Sequence, residues 1–529
     1  MPQLISLPNK KITFKKGPNG TKYVYYTLRA YRNDRGQPTS DEKSIGKLDP
    51  ESGMLIPNKG YFDLFPSEES PKEVLSVGFL TSFMQISDDL DLTTALSKVF
   101  PPKKVNLLLS LAAYILAQGN VMAHFPSWAE THHHERLLSL PSQEISALFA
   151  SITEEERIAF FSHWTKAQPC DGYIAYDVTS ISTYSQGIDQ AEWGYNRDGE
   201  KLAQINLGIF YSEESRLPLF YKIYPGSLVD KAYFETILLY SKHLGIERLR
   251  LVMDQGLYSL ENLHLIQEGG YASLSILPKN LNLYQSLLDE TLQEPYSSRE
   301  YLKDHKLYAR AYGGTFEDIP VRVFMYYDLE KAALEESSLY DEIERREEAL
   351  EELAKQRKLP PSQTKYFVVE GEGAKSLRYG KDFETIDEQR KRLGYFALIS
   401  TDENLDADDA LRIYRAKDGV EKTFYQLKNG LDYRRMRTHY TKTTEGKAFV
   451  AFLSLVVRSQ MKKLLQAQEE TAQISLDEGI GQLERIQALR TGDEVSLLTQ
   501  TKKQKTILQS LGLDSTDLIS VVFYKKKKH

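Results

Sequence analysis

Between Gly172 and Leu277 the chain changes its hydrophobic period several times, in an order that few folds accept. Gly172–Thr179 (GYIAYDVT) alternates with period two, which sets Tyr173, Ala175 and Asp177 on one side of a strand and Ile174, Tyr176 and Val178 on the other. Asp198–Gly199 is a hairpin signal leading into a second strand, Gln204–Tyr211, and Pro225–Gly226 closes a third, Leu217–Tyr224. A helix over Asp230–Leu244, a short strand Arg248–Met253, a helix capped by Ser259 and a strand Ala272–Leu277 complete the run. Three antiparallel strands followed by helix, strand, helix and strand predict an α/β core built on one mixed sheet.

That order is the one found in a ribonuclease-H-like core. The expected fold class is therefore α/β, a mixed five-stranded sheet with flanking helices, interrupted by a β-rich and helical insertion. The interruption begins after Pro278. It holds strand-like pieces (Leu307–Tyr312, Val321–Tyr327, Tyr366–Val369), an acidic helix with Leu339, Ile343, Leu350 and Leu353 at helical spacing, and the linker Pro360–Pro361. Gly394–Thr401 then returns to strand. Upstream, residues 12–58 read as a three-stranded β-unit with a turn over Asn33–Gly36, and Val74–Met84, Leu92–Val99, Val105–Ala117 and Glu154–His163 read as helices. The expected boundaries are a basic β-unit, a candidate DNA binder, at 1–70; a helical domain at 71–165; the core at 166–280 and 394–465; the insertion at 281–393; and a helical, polar, loosely packed tail at 466–529. The small β-unit has two readings, a sheet laid into a DNA groove or one packed on its neighbour.

Leu411–Asn429 carries the second constraint. At 100° per helical residue, Tyr414, Lys417 and Lys428 fall within about 60° of Glu421, while Ile413, Val420, Phe424 and Leu427 form an apolar stripe beside them. A helix whose packed side borders its charged side lines a cleft. The plainer alternative is an amphipathic surface helix with a lysine–glutamate pair. Asp177 and Asp254 stand at or near strand ends, and Glu421 on a helix beside the core. Brought together, three carboxylates repel unless divalent cations join them; oxygen ligands suit Mg²⁺ or Mn²⁺. Two such ions about 3.5–4 Å apart serve in-line displacement at phosphorus. Asp198 reads as a turn residue and Asp230 as a helix cap; Glu192 has no assigned role.

Charge distribution points the same way. Net charge is −7, yet residues 1–35 hold Lys10, Lys11, Lys15, Lys16, Lys22, Arg29, Arg32 and Arg35 against Asp34 alone. Residues 411–442 hold Arg412, Arg415, Lys417, Lys422, Lys428, Arg434, Arg435, Arg437 and Lys442 against Asp418, Glu421 and Asp432. Two basic patches on an acidic chain suit a local grip on nucleic acid, or simply two solvated faces. The single cysteine, Cys170, excludes an internal disulfide and a cysteine-based zinc site. Adjacent His132, His133 and His134 point apart and have no partner ligands at metal spacing. The opening MPQLISLPNKK lacks a signal-peptide pattern, and the apolar run Phe449–Val457 falls short of the roughly 20 residues that span a bilayer. The expected location is intracellular.

The local words around these acids are specific. Tyr414, Lys417, Glu421 and Lys428 keep the spacing of a Y-x2-R-x3-E-x6-K signature, with lysine in the arginine position. YDVTSIS surrounds Asp177, WGYNRDGEKLAQINLGI and PLFYKIYPGSLVD follow it, MDQGLYS surrounds Asp254, and LPKN follows the fifth strand. On these words the chain resembles the DDE transposases of bacterial insertion sequences over roughly Gly172–Leu465. The resemblance implies that Asp177, Asp254 and Glu421 are catalytic and hold two Mg²⁺ (or Mn²⁺) ions. It implies that Tyr414 and Lys428 contact transposon-end phosphates, with Lys417 a point charge in place of a guanidinium fork. Arg434, Arg435 and Arg437 are further expected DNA contacts. The partners implied are double-stranded DNA, as terminal inverted repeats and target, and a second copy of the chain in a synaptic homodimer. The expected function is cut-and-paste transposition, DNA cleavage at element ends followed by strand transfer. Two alternatives stand beside it: an end-binding regulator or relic that does not cut, and a metal-dependent nuclease without strand transfer.

Overall fold

The computed structural model describes residues 4–9, 11–17, 20–32, 36–50, 52–65, 72–169, 172–196, 198–228, 230–246, 249–254, 259–355, 364–370, 378–491 and 494–522. Lys10, the turn at 33–35, Cys170, the linker 360–361 and the lysine run 525–528 lie outside these residues. The chain divides into two compact units, Met1–Ser146 with Gln460–His529, and Ala147–Ser459.

The second unit is built on one sheet. Its strands are β1 (Tyr173–Ser182), β2 (Gln204–Ser212), β3 (Leu217–Pro225), β4 (Arg250–Met253), β5 (Ala272–Ile276), β6 (Tyr301–Leu302), β7 (Leu307–Phe316), β8 (Ile319–Tyr327) and β9 (Tyr395–Ser400). They lie in the order β6-β7-β8-β9-β5-β4-β1-β2-β3. The hairpins β1–β2 and β2–β3 are antiparallel, whereas β1, β4 and β5 run parallel. The helices α1 (Asp230–His243) and α2 (Leu260–Glu268) make the two crossovers, and Ser259 caps α2 by accepting the Asn262 N–H. Each predicted strand from β1 to β5 is found within a few residues of its expected bounds.

The sheet is larger than the sequence predicts. Strands β7 and β8, read as part of a separate insertion, continue the same sheet, because β9 pairs with β5 on one edge and with β8 on the other. A strand as apolar as Tyr395–Ser400 has two rows of backbone groups to satisfy, and pairing both edges removes them from water. What stands apart is the small ladder Phe367–Glu370 with Arg378–Lys381, packed with Leu339, Ile343, Leu350 and Ile386 in its own cluster.

Both faces of the sheet are covered. Tyr173, Val252, Leu274, Phe324 and Leu398 pack on one side with Ala410, Leu411 and Ile413, and Val323, Met325, Ala397 and Ile399 pack on the other with Leu263, Tyr284 and Leu288. Strands β1 to β3 are buried almost throughout, including the polar Thr179, Ser180, Ser182, Gln204 and Asn206. Within β1, Asp177 alone is not buried.

In the first unit the N-terminal sheet has four strands, Leu55–Pro57 joining the expected three. The predicted helix over Val74–Met84 begins as a strand: Lys72–Ser76 pairs antiparallel with Gln487–Thr491, and the helix covers Gly78–Asp89. A partner more than four hundred residues away leaves no local trace at Val74. The tail is packed rather than loose, with Leu483, Ile486, Ala488, Ile507 and Leu508 all buried. Gly78 fits the tail closely, since a Cβ there would meet Leu483 O and the Ile486 side chain at 2.6 Å. His132 bonds the Trp128 carbonyl through Nδ1 and Glu484 through Nε2 at 2.8 Å. Among the described residues no single helix is long and apolar enough to cross a membrane.

One buried charge makes stability pH-dependent. Lys447 is 2% exposed, and burial, with Arg437 nearby, brings its pKa down to about 7. An unfolded lysine titrates near its usual 10.5, so between about pH 7 and 10 the unfolded chain binds more protons and folding strengthens as pH rises. Thermal melts should therefore rise from pH 7 to pH 9 in the wild type relative to Lys447→Met, in which that increment is absent.

Candidate active site

The helical segment after β9 supplies the third acid. Asp406 caps α3 (Ala407–Ala416) by accepting the Asp409 N–H, and α4 (Asp418–Tyr425) follows with Lys417 at the joint between them. Ile413, Val420, Phe424 and Leu427 are buried, as the apolar stripe predicts. Gly419 lets α4 approach the sheet: a Cβ there would stand 2.9 Å from the Tyr211 ring on β2.

Register brings the two aspartates level. On the parallel neighbours β1 and β4, Tyr176 is paired with Met253, so Asp177 and Asp254 are the next residues along each strand. The Asp177 carboxylate accepts the Val178 N–H at 2.8 Å, and Asp254 is exposed at the end of β4. Lys417 joins them to the helix. Its ammonium is 2.9 Å from Glu421 Oε1 and 3.9 Å from Asp254 Oδ1, and its side chain is 5% exposed against 55% for Asp254 and 58% for Glu421.

The electrostatics describe one cluster. Burial works to lower the Lys417 pKa, but the fields of Asp254 and Asp177 and the bond to Glu421 outweigh it, and the net shift is upward. Burial pushes the Tyr414 hydroxyl up to about 12; Lys417 opposes that shift, and Asp254, Glu421 and Asp177 add to it. Tyr414, Lys417, Asp177, Asp254 and Glu421 thus sense one another. Among the described residues no group of three or more His, Cys, Asp or Glu side chains is close enough to form a metal cage. The ammonium of Lys417 is the positive charge the acids gather round. Such an all-oxygen set, organised about a cation and open to solvent on the carboxylate side, has the donor chemistry of a hard divalent ion.

The other cations expected at the site have partners of their own. Gln426–Gly430 forms a π-turn, closed by the Leu431 N–H on the Gln426 carbonyl. Lys428, within that turn, bonds Asp198 at 2.6 Å. Arg435 bonds Glu200 at 3.1 Å and the Tyr184 hydroxyl at 2.6 Å, Arg437 bonds Asp432 at 2.9 Å, and Arg434 bonds Asn429. The Asn196 carboxamide oxygen accepts the N–H groups of Asp198 and Glu200, which makes the expected turn and aims both acids at the cations. Glu192 bonds Ser227. Asp230 opens α1. Sequence reading missed Asp198 and Glu200 as partners; their spacing beside Gly199 signals only a turn.

Removing the Lys417 ammonium leaves the carboxylates facing one another. Lys417→Met should lower stability at pH 7 by roughly 1–3 kcal/mol in thermal or denaturant unfolding at low salt, and the deficit should shrink at about 1 M salt, where the repulsion among the carboxylates is screened. An equal deficit at both salt concentrations would show that packing, not the charge, mattered.

The family model described as the transposase DDE domain matches residues 168–457. Nothing among the curated proteins matches the chain. A solved structure described as the cryo-EM structure of a piggyBac transposase synaptic complex with hairpin DNA is similar at 9% identity, covering 79% of this chain and 86% of that chain, with a TM-score of 0.34. With that family model spanning more than half of its length, the chain belongs to the DDE transposases.

Proposed function

We propose that this DDE transposase cuts DNA at the ends of an insertion sequence and joins the freed 3′-OH to target DNA, with Asp177, Asp254 and Glu421 as its metal-holding acids. Domains of this family use divalent metal ions. The observation that carries the reading is the parallel register of β1 and β4, which sets Asp177 and Asp254 side by side, together with the bond from Lys417 to Glu421 and its approach to Asp254. The strand order β3-β2-β1-β4-β5, with three antiparallel and then parallel strands, supports a ribonuclease-H-like core.

Each residue then has a task. Asp177 is held rigidly by its strand and by the Val178 N–H, Asp254 gives the exposed carboxylate at the strand end, and Glu421 closes the set from the helix. These three acids would hold the divalent ions, two Mg²⁺ by this reading, whose chemistry there would be to activate an attacking oxygen and stabilise a leaving oxygen at phosphorus. Lys417 orients Glu421 and neutralises the acids until DNA and metal arrive. Lys428, Arg434, Arg435 and Arg437 grip phosphates, and Tyr414 borders the acids. The basic N-terminal sheet and the helices after it recognise the terminal inverted repeats of double-stranded DNA. Two copies of the chain pair the element ends at the nucleoid.

Asp177→Asn, Asp254→Asn and Glu421→Gln should each reduce Mg²⁺-dependent cleavage of the chain's own flanking DNA by more than about a hundredfold, with end binding within about twofold of wild type. Robust cleavage by any one of them removes that residue from the site. Incubating pre-cleaved ends with plasmid should yield joined product; nicks alone would mark a nuclease without strand transfer.

A further inference from the structure

The joint at Lys417 is braced from both sides. Helix α3 ends and α4 begins there through two tight turns, the Lys417 N–H on the Tyr414 carbonyl at 3.2 Å and the Val420 N–H on the Lys417 carbonyl at 2.9 Å. Three-residue turns of this kind have poorer hydrogen-bond geometry than the α-helix on either side of them, so the joint is where the helical run can bend. Two residues after it, Gly419 lies against the Tyr211 ring of β2. Two residues before it, Arg415 reaches across to His305.

His305 stands on the turn between β6 and β7. That turn is sharply defined: the His305 N–H bonds the Leu302 carbonyl at 3.3 Å, and Lys306 takes a left-handed φ of +56°. Leu302 and Leu307, on either side of the turn, pack in the same cluster as Leu411, Ile413 and Tyr414 of the α3 segment. The imidazole is 13% exposed and lies between two charges of α3, with Arg415 Nη1 at 3.1 Å from Nδ1 and Asp408 Oδ1 at 3.6 Å from Nε2. A guanidinium can only donate, so Nδ1 accepts, and the hydrogen of the neutral ring sits on Nε2, facing the carboxylate. At the other end of α3 the Tyr326 hydroxyl of β8 donates to the Ala407 carbonyl at 2.7 Å. The strands beyond β9 therefore hold α3 at its first residue and again at its last turn.

We propose that His305 is a positioning residue for DNA cleavage: by holding Arg415 it fixes the end of α3 from which Lys417 and Glu421 are presented to Asp254. The proposal rests on the reading of Glu421 as a metal-holding acid. His305 acts through the helix and not on the substrate. With Arg415 released, the joint is anchored on its Gly419 side alone, and a shift of Lys417 carries Glu421 with it, since the two are bonded at 2.9 Å. A displacement of this kind at a reacting centre lowers rate without removing a contact to the substrate.

Single-turnover cleavage of the chain's own flanking DNA by the full-length protein with Mg²⁺ tests this. His305→Ala should lower the maximal rate about tenfold, with end binding within about twofold of wild type. His305→Asn, whose carboxamide oxygen can accept in place of Nδ1, should restore the rate to within about threefold. Arg415→Met should be slow as well, and His305→Ala/Arg415→Met no more than about twofold slower than the slower single variant, because both changes remove one bond. In the protein without metal or DNA, His305→Ala should speed amide hydrogen exchange over Leu411–Glu421 and leave Tyr173–Ser182 unchanged. A wild-type rate in His305→Ala, a loss that His305→Asn does not restore, additive losses in the double variant, or unchanged exchange over Leu411–Glu421 overturns the proposal. If His305→Ala cuts like wild type while Glu421→Gln does not cut, only the role of His305 falls; if Glu421→Gln cuts like wild type, it is the catalytic assignment that falls.

Discussion

A lysine ammonium among carboxylates is the interaction on which this site depends. Lys417 is almost wholly buried, and an unpaired charge in such a place would cost several kcal/mol. Its partners are not buried: Asp254 and Glu421 keep more than half of their surface in water. Opposite charges 4 Å apart attract by about 4 kcal/mol at an effective dielectric near 20, so the acids hold the lysine more firmly than solvent competes for them. The cluster is consequently dry behind and wet in front. Positive charge is supplied from the protein side, and negative charge is displayed to whatever approaches.

That arrangement needs strand and helix set at a fixed distance, and Gly419 sets it. A Cβ there would press on the Tyr211 ring of β2, and Glu421 follows Gly419 by two positions. The backbone approach that lets the helix lie on the sheet thus acts within two residues of this acid. Parallel pairing of β1 and β4 then does for Asp254 what the helix does for Glu421. Only Asp254 stands at a strand end as expected; Asp177 lies in the middle of β1, because β1 continues past the end of the shorter β4 to pair with β2 as far as Ser182.

Much of this was legible from local pattern. The alternation in GYIAYDVT, the Ser259 cap and the stripe Ile413, Val420, Phe424, Leu427 each report a contact made within a few residues, and each matches the structure. What pattern missed was long-range. Val74–Ser76 became strand because Gln487–Thr491 pairs with it, and β7 and β8 joined the central sheet because β9 had a second edge to fill. The tail looked polar because its buried residues, such as Leu483 and Ile507, are widely spaced between charges. At the site, the 100° rule placed Lys417 beside Glu421, as the bond between them shows, but gave no sign of the π-turn at Gln426–Gly430 or of the Asp198 partner that Lys428 takes.

The cations beyond the acids are held by partners of their own. Gln426–Gly430 forms a π-turn, Lys428 within it bonds Asp198, and the chain that follows sets buried Tyr433 and Met436 between exposed Arg434, Arg435 and Arg437. Arg435 bonds Glu200 and the Tyr184 hydroxyl, Arg437 bonds Asp432, and Arg434 bonds Asn429. The Arg435–Glu200 and Arg437–Asp432 pairs stand partly in water, where an ion pair contributes about 1 kcal/mol or less, so another anion can replace either carboxylate at little cost. Lys417 differs from them in its burial, which is why its carboxylate partners matter to the fold and theirs do not.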